Sequence, residues 1–591
     1  MSVNTSNGSS STQPQWGRVL ITGGTDWAKL GRKDRVKAAE GVEPECVPCQ
    51  CSPRASPLIP SRNPDLLEPH ILRSLSNVRA VSVHTSCCSC HNVVIDVDGS
   101  AWLFGRNAHG QLGVPGTAIS ENAPRRVTPR ELGASPTARF VHAACGRYHT
   151  LLVADEGQVW AAGANTLGQC GQDVCPEINK FKRVSVLDRE DNEEHVVKAA
   201  AGISFSVVLT KSAKLYAFGS AEKGQLGNGD TGERLATGQR VVFGIETVPL
   251  LIKELANRTI VDVSAGQQHC IAIDDAGVVF VWGYNGYCRL GLGDQKDRLK
   301  PVVVPHFAGP KEISMGSLVT AGPTNSVVVD KQGVYYMAGK WPFVCARNFG
   351  SYNRIGSVGS PWTYFKPIQD IMACRTTHVS CGGVTHFVLT PNDEAGHEGK
   401  NMTVCWGQNA ANGELGLGPD ENKSATKATK NKPLLEVDVI DVAAGQHTTL
   451  FIARPSDELS DRPRHPFDVD APEACLGCGK ASEDDELLEC EKCDAPYHLT
   501  CLNPPLSAVP EGEWFCPKCI ATPGAPVGRW AQLAEAQAGA KRKAPVDDAG
   551  KFACGPRRGR RFDVRALQHT RRPVSDGMVT EEAWKRSRNE D

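Results

Sequence analysis

Seven cysteines and one histidine are concentrated in a short stretch near the end of the chain, in pairs separated by two residues. They are Cys475, Cys478, Cys490, Cys493, His498, Cys501, Cys516 and Cys519. Each such pair can chelate a metal ion through a tight turn, and thiolate and imidazole are the donors that zinc prefers. Eight ligands make two tetrahedral sites. The sequence therefore predicts two Zn²⁺ ions in closed, structural sites with no open position for a catalytic water.

The chain has 23 cysteines in 591 residues, and its first residues lack the charged start and apolar block of a signal peptide. Cysteines in a reducing compartment remain thiols or bind metal. Two further groups, Cys46/Cys49/Cys51 and Cys87/Cys88/Cys90, are interpreted as structural thiols rather than a third metal site. Alternation along a strand would separate Cys87 from Cys88 and Cys90.

The ligand order of four Cys, one His and three Cys, with Trp514 two residues before Cys516, resembles the plant homeodomain (PHD) finger over residues 472–520. The resemblance implies an interleaved arrangement of the ligands. One zinc would be held by Cys475, Cys478, His498 and Cys501, and the other by Cys490, Cys493, Cys516 and Cys519. A RING finger, and with it a ubiquitin ligase, is the alternative cross-braced module. The histidine at the fifth ligand position fits the PHD pattern better.

The finger is acidic, with ten Asp or Glu residues against three lysines between residues 472 and 520. Such a module favours a basic peptide and disfavours DNA. The PHD resemblance implies binding of the N-terminal tail of histone three along a strand edge. Pro496 stands where a trimethyl-lysine reader has its cage tryptophan, so we predict an unmodified lysine four as the ligand. The alternative is that the acids only keep the finger soluble.

Acidic residues can accept the three donors of an unmodified ammonium, and backbone carbonyls can receive a free amino end. By the resemblance, Glu473 and Glu491 contact the tail, while Pro510, Glu511 and Gly512 surround its amino end. The predicted peptide-binding residues are Glu473, Asp484, Asp485, Glu486, Leu487, Leu488, Glu489, Glu491, Pro510, Glu511, Gly512 and Trp514.

Most of the chain before the finger consists of a repeated unit. Each unit holds a glycine start, an apolar strand, a turn and a second strand ending in glycine, as in ACGRYHTLLVADEGQVWAAG from Ala144 to Gly163. Two short strands around a turn, repeated radially, predict a β-propeller. The first segment is a second half-unit without a start, and the last, AAGQHTTLFIA, is a start without a second half. We therefore predict seven blades over residues 16–454, closed by pairing of the two ends.

These units resemble the regulator-of-chromosome-condensation repeat. The likeness rests on GRVLITGGTDWAKLGRKD, ACGRYHT, VWGYNGYCRLGLGDQKD and AAGQHTTLFIARPSDE. It implies a nuclear or chromosomal role and, for some members, nucleotide exchange on a small GTPase. Recurring histidines are interpreted as core residues that occupy one place in successive blades and satisfy a buried hydrogen bond within each blade. They are His91, His149, His269, His386 and His447.

The remaining segments predict flexible connections. Residues 1–15 read as disordered, 455–471 as a linker and 521–591 as a basic, largely disordered tail. The tail carries two basic clusters typical of a nuclear localisation signal, or of non-specific nucleic-acid contact, or of a merely solvated charge run. The clusters comprise Lys541, Arg542, Lys543, Arg557, Arg558, Arg560 and Arg561.

The fold class predicted from the sequence is mainly β: a seven-bladed propeller closed by its terminal strands, a small two-zinc finger and a basic tail. The net charge of −1 excludes a uniformly basic coat, and the absence of an 18-residue apolar run predicts no membrane partner. We predict a nuclear, chromatin-associated binding protein that is not an enzyme, with a histone tail as its partner. The alternative is an exchange factor or regulator of a small GTPase.

Overall fold

The computed structural model describes thirteen stretches of the chain, and every structural statement below concerns those stretches. They are residues 15–30, 64–114, 118–236, 238, 240–309, 315–340, 361–394, 396, 399–467, 469, 471–481, 487–510 and 512–528. The chain divides into one compact unit, Met1–Ala536, and a second unit, Gln537–Asp591, which falls outside the described residues. The same is true of several predicted features: Cys46, Cys49, Cys51, Asp484, Asp485, Glu486, Glu511 and both basic clusters of the tail.

The described part of the chain is built almost entirely from short strands. The first sixteen are β1 (Arg18–Gly23), β2 (Leu66–Leu72), β3 (Ala80–His84), β4 (His91–Asp96), β5 (Ala101–Arg106), β6 (Ser120–Val127), β7 (Phe140–Cys145), β8 (His149–Ala154), β9 (Val159–Asn165), β10 (Cys175–Val184), β11 (Val196–Ala201), β12 (Phe205–Thr210), β13 (Leu215–Ser220), β14 (Arg234–Ala236), β15 (Arg240–Val242) and β16 (Ile245–Leu251). The next seventeen are β17 (Ile260–Ala265), β18 (His269–Asp274), β19 (Val279–Gly283), β20 (Arg298–Val303), β21 (Gly316–Ala321), β22 (Asn325–Asp330), β23 (Tyr335–Gly339), β24 (Trp362–Pro367), β25 (His378–Cys381), β26 (Thr385–Pro391), β27 (Asn401–Gly407), β28 (Ala425–Lys430), β29 (Val439–Ala444), β30 (Thr448–Ala453), β31 (Arg464–His465), β32 (Leu487–Glu489) and β33 (Pro496–His498).

Helical structure in the described residues is limited to short segments. The two α-helices are α1 (Asp457–Ser460) and α2 (Pro517–Ala521). The 3₁₀ turns are Arg73–Leu75, Pro129–Leu132, Lys253–Leu255, Gly286–Cys288, Pro305–Phe307, Gln369–Ile371, Lys432–Leu434 and Leu499–Cys501. No helix among the described residues is long and apolar enough to cross a membrane.

Seven sheets form the blades of a propeller, as the repeat predicts. Blades 1 and 2 are β3–β6 and β7–β10; blade 3 is β11–β13 with β16; blades 4, 5 and 6 are β17–β20, β21–β24 and β25–β28; and blade 7 joins β29 and β30 to β1 and β2. Seven hydrophobic clusters each combine residues of two neighbouring blades. The second and third strands of a blade are buried on both faces, which explains their continuous apolar sequences.

The glycine at or near the end of the third strand of each blade has a steric role. Gly163 adopts a φ of 119°, and a Cβ at that position would lie 2.2 Å from the carbonyl oxygen of Tyr148. Glycine tolerates both the left-handed backbone and the close approach of the neighbouring strand. The ladder between β9 and β10 also shifts register at this glycine. The repeated glycine is thus explained by backbone geometry without a ligand.

Blade 7 closes the ring with strands from both ends of the propeller segment. β1 lies between β30 and β2, and it pairs antiparallel with each of them. This arrangement confirms the predicted joining of the two half-units. Residues 455–471, predicted as a linker, include α1 and the strand β31, which pairs in parallel with β2 as a fifth strand. This stretch is therefore partly folded against blade 7 rather than a simple flexible spacer. The exact domain boundaries stay a prediction.

The recurring histidines do not all occupy one place. His91, His149 and His269 are the first residues of the second strands of their blades. His386 is the second residue of β26, and His447 precedes β30 with a side chain that is 30% exposed. The single-position prediction is therefore wrong for the last two, because Thr385 and Thr448 begin those strands.

The Nε2 hydrogen bonds of the first three histidines connect neighbouring blades, and His91 also has a partner in its own blade, because its Nδ1 lies 2.9 Å from the hydroxyl oxygen of Ser89. The Nε2 atoms of His91, His149 and His269 lie 2.7, 2.9 and 3.0 Å from the hydroxyl oxygens of Thr150, Ser206 and Ser326, respectively. The prediction of a bond within each blade is therefore confirmed for His91 and wrong for His149 and His269, whose Nδ1 atoms have no hydrogen-bond partner among the described residues. The repeated polar contact instead ties the second strand of one blade to that of the next.

The thiols near the start of blade 1 are structural in the sense of being buried. Cys87, Cys88 and Cys90 are each no more than 8% exposed. They precede β4 in a turn, so strand alternation is the wrong reason for separating them. Among the described residues, neither cluster of potential metal ligands includes any of the three.

A two-tetrad finger seated on the closing blade

The finger consists of two tight ligand turns, a small hairpin and a short helix. β32 pairs antiparallel with β33, with Leu488 opposite Tyr497. The carboxyl-terminal α2 begins directly after Cys516 and has Pro517 in its first turn, where a missing N–H is tolerated. These elements place the eight candidate ligands at two points.

The ligand side chains form two tetrads with the interleaved membership that the PHD pattern implies. The first contains Cys475, Cys478, His498 and Cys501, and the second contains Cys490, Cys493, Cys516 and Cys519. Within each tetrad the donor atoms all lie within 4.8 Å of one another. His498 presents Nδ1, which lies 3.4 Å from Sγ of Cys478 and 3.7 Å from Sγ of Cys501. Four sulfur or nitrogen donors at this spacing fit tetrahedral Zn²⁺, so the finger provides two zinc sites.

Backbone N–H groups are directed at two of the sulfurs. The amides of Gly477 and His498 each donate to Sγ of Cys475 at 3.3 Å. The amide of Cys516 donates to Sγ of Cys490 at 3.2 Å. Burial tends to raise the pKa of Cys475, but backbone N–H donors, first that of His498, outweigh it and lower that pKa to about 6. This favours the thiolate, the form that binds metal.

The finger has little apolar core of its own. Its buried cluster contains Cys490, Cys516 and Cys519, with partly buried Tyr497 and Trp514 packed against it. The rings of Tyr497 and Trp514 meet edge to face, with centroids 5.8 Å apart. Because a core of this size cannot stabilise a fold alone, the metal sites must supply much of the stabilisation.

The predicted peptide-binding residues fall in different environments. Glu473, Glu489 and Gly512 are exposed; Leu487, Pro510 and Trp514 are half-buried; and Leu488 is buried. β32 belongs to a two-stranded sheet, so no described strand pairs with its second edge. Glu491 is not free: it forms an ion pair with Arg464 of β31.

Ion pairs seat the finger on blade 7. Arg73, in the turn after β2, donates to Asp494 through two parallel hydrogen bonds, 2.6 Å to Oδ1 and 2.8 Å to Oδ2. Arg18 of β1 forms a 2.7 Å ion pair with Glu513. Both arginine side chains are less than 10% exposed, and the bidentate geometry of the Arg73 pair is the strong form of this interaction.

Hydrogen bonds to uncharged acceptors complete this contact. The Asn77 side-chain amide donates to the carbonyl oxygen of Cys519 at 2.6 Å. Lys492 is fully buried, and its ammonium group donates to the Oδ1 atom of Asn77 at 3.1 Å. Arg73 also donates to the carbonyl oxygens of Pro466 and Lys492. The propeller and finger therefore share a polar interface in which several buried donors depend on the other partner.

The sequence gives no direct sign of this interface. Arg18, Arg73 and Arg464 lie in three separate segments, and each resembles an ordinary surface arginine in the repeat. A weak signal exists in the finger: Glu491, Lys492 and Asp494 place charge between and beside the ligands of the second tetrad. Charged side chains of a small finger must be solvated or paired. In this structure residues outside the finger pair with them: Arg464 with Glu491, Asn77 with Lys492 and Arg73 with Asp494.

Comparison with known proteins agrees with the two parts of this architecture. The RCC1-like domain family matches residues 18–451, and the PHD-finger family matches residues 475–519. The chain belongs to the RCC1-like domain family and carries a PHD finger after the propeller.

Two curated relatives illustrate the family membership. Protein RCC2 of Homo sapiens is 31% identical over 458 residues, covering 75% of this chain and 77% of that protein. Protein RCC2 of Mus musculus is 30% identical over 458 residues, with the same coverage.

Two solved structures share the propeller fold. The crystal structure of human WBSCR16 superposes with a TM-score of 0.55 at 21% identity, covering 74% of this chain and 99% of that chain. Yeast RCC1 (Prp20), in the crystal structure bound to Kap60, gives a TM-score of 0.55 at 17% identity, covering 78% of this chain and 97% of that chain. At these identities the likeness concerns the fold alone.

Proposed function

We propose that the protein is a nuclear, chromatin-associated binding protein whose finger binds the N-terminal tail of histone three. The observation that carries this proposal is the edge of β32 with which no described strand pairs, in a finger whose sequence is strongly acidic. An extended peptide can add to such an edge through its backbone, while carboxylates pair its basic side chains. The propeller then serves as a platform for other proteins.

The proposed site assignments follow from this arrangement. Each tetrad holds one structural Zn²⁺ through the four side chains named above. In this proposal Leu487, Leu488 and Glu489 form the edge that receives the peptide, and Glu473 and Trp514 make further contacts with it. Asp484, Asp485 and Glu486 would bind an unmodified lysine, and Pro510, Glu511 and Gly512 the free amino end. Glu491 would contact the tail with the carboxylate that also pairs with Arg464.

Binding should be tested with the full chain and peptides of the histone-three tail. We expect binding to the unmodified peptide and weaker binding when lysine four is trimethylated. Each methyl group replaces an N–H that could donate a hydrogen bond to a carboxylate. Asp485→Asn should weaken binding to the unmodified peptide. Glu190→Gln, in an exposed loop before β11, is the matched control. Equal or tighter binding of the trimethylated peptide would exclude the proposed specificity.

A second candidate function is regulation of a small GTPase by the propeller. The observation that favours it is membership of the RCC1-like family: one yeast relative, Prp20p, is described by its binding to Gsp1p and histones. In this role the protein displaces nucleotide from its partner and is not a catalytic enzyme. Nucleotide release from a panel of small GTPases, with and without the full chain, tests it. An unchanged release rate across the panel would argue against exchange activity.

Nuclear localisation is proposed to depend on the two basic clusters of the tail. Replacing Lys541, Arg542 and Lys543 with alanine in a fluorescent fusion should shift the protein to the cytoplasm. The domain boundaries at residues 454, 471 and 520 also remain proposals, and limited proteolysis with mass spectrometry would locate them.

A further inference from the structure

We propose that the finger, when it holds zinc, stabilises the closed ring of the propeller by binding to β1 and to the turn after β2. We call this contact the clasp. The propeller surface that the finger contacts is formed largely by the segment at the beginning of the chain. Arg18 belongs to β1, whereas Arg73 and Asn77 follow β2. The finger follows β30 and β31, so the contact joins the first strands of the propeller to the segment after its last strand a second time, outside the strand pairing of blade 7.

The finger residues that contact the propeller are neighbours in sequence of the ligands of the second tetrad. Glu491 and Lys492 lie between the ligands Cys490 and Cys493, and Asp494 follows Cys493 directly. On the other side of the tetrad, the carbonyl oxygen of Cys519 accepts the hydrogen bond of Asn77. Because metal ligation fixes the shape of these turns, it also fixes the carboxylates and carbonyls that face the propeller.

Loss of the folded finger would remove the ion pairs and hydrogen bonds that the propeller makes with it. Arg73 would lose both hydrogen bonds to Asp494, and Arg18 would lose Glu513. Each lost contact, above all the bidentate pair of Arg73, removes stabilisation from the segment that carries the arginine. Here those segments are β1 and the turn after β2. β1 closes the ring by pairing with β30, and β2 pairs with β1. Zinc binding to the finger should therefore stabilise closure, by the linkage that applies to any ligand of the native state.

The test is hydrogen exchange of the full chain with two zinc ions bound and after their removal by a chelator. We expect amides of β1 to exchange about tenfold faster or more without zinc, and to recover when zinc is restored. Amides of β12 in blade 3 provide the internal control and should change little, because no hydrogen bond or ion pair between described residues joins that blade to the finger. The proposal is overturned if the finger loses zinc and protection while β1 keeps its exchange rates.

A second arm separates the clasp from a general effect of the chelator. Asp494→Asn keeps the size of the side chain but removes the charge that pairs with Arg73. In this variant, with zinc bound, β1 should already exchange faster, and zinc removal should add less than it does in the unaltered chain. Glu193→Gln, which breaks an exposed ion pair with Arg183 in blade 2, is the matched control and should leave β1 unchanged. An Asp494→Asn variant that behaves like this control would overturn the clasp. Neither arm uses a histone peptide, so failure here is distinct from failure of the proposed peptide binding.

Discussion

Gly524 lies directly against the indole ring of Trp102, so a methyl group at Gly524 would stand 1.8 Å from the ring. Gly524 follows α2 of the finger, while Trp102 is in β5 of blade 1, where its Nε1 donates to Asp96 at 2.8 Å. Gly524 has a φ of 74°, which also favours glycine. This contact extends the seat of the finger from blade 7 to blade 1.

Gly524→Ala should release the end of the finger from blade 1. The side chain cannot fit without moving either the Trp102 ring or the segment after α2, and the left-handed backbone adds about 1 to 2 kcal/mol of strain. We expect a change in tryptophan fluorescence and faster exchange after α2. Gly479→Ala is the control, since Gly479 has a φ of 72° but no atom within 4 Å of a Cβ. Equal effects of both substitutions would show that backbone strain alone is responsible.

The Arg73–Asp494 pair should show strong energetic coupling. Arg73→Ala is expected to lower the apparent free energy of unfolding by about 2 to 4 kcal/mol, because it leaves Asp494 and two buried carbonyls without their donor. A double-mutant cycle with Asp494→Ala measures the coupling directly. The Arg183–Glu193 pair, nearly half exposed on both sides, should give less than about 1 kcal/mol. Similar couplings for the two pairs would contradict this expectation.

The propeller should lose stability as the pH falls below about 6.5, the ordinary pKa of histidine. Burial, and next the nearby His149, lowers the pKa of His91 to about 3; burial also lowers the pKa of His149 and of His386 to about 4. These groups bind protons in the unfolded chain but not in the folded one, so stability is complete above pH 6.5 and falls towards pH 4. Each contributes a slope of up to about 1.4 kcal/mol per pH unit.

Thermal unfolding between pH 7.5 and pH 5 measures this dependence. His149→Asn should reduce the slope of the unfolding free energy against pH by the contribution of one histidine. It should also lower the stability at every pH. A midpoint temperature that stays constant between pH 7 and pH 5 would show that the histidines titrate equally in both states.

Removal of one zinc ligand should lower the zinc content of the full chain and unfold the finger. The intact chain is expected to contain two zinc ions, measured by elemental analysis. Cys516→Ser removes the sulfur of a buried ligand and should reduce the content to one ion or fewer, because the interleaved sites support each other. Cys175→Ser, a partly exposed thiol in blade 2, should retain both ions. Two ions in the Cys516→Ser variant would contradict the assignment.

The features that the sequence predicts well are those that repeat or depend on local spacing. The half-units at Gly17 and Ala443 predict the closure of blade 7, and the Cys-x₂-Cys pairs predict both tetrads. His447 shows where prediction from the repeat fails. It lies one residue before the position that the first three histidines share, and the sequence does not reveal that offset because it does not show where the strand begins. The ion pairs of Arg73 and Arg464 depend on how two distant segments meet in space, which spacing along the chain does not encode.

The position of β1 also constrains the order in which the blades can fold during synthesis on the ribosome. Blades 1 to 6 can each form from contiguous sequence, but β1 needs β30, and the hydroxyl of Thr448 reaches the carbonyl oxygen of Gly24 across 424 residues. At about 5 to 20 residues per second, the first strand waits roughly 20 to 90 seconds for its partner. During that interval its unpaired edge is exposed to other nascent chains, and a chaperone that shields the amino terminus would raise the yield of closed rings.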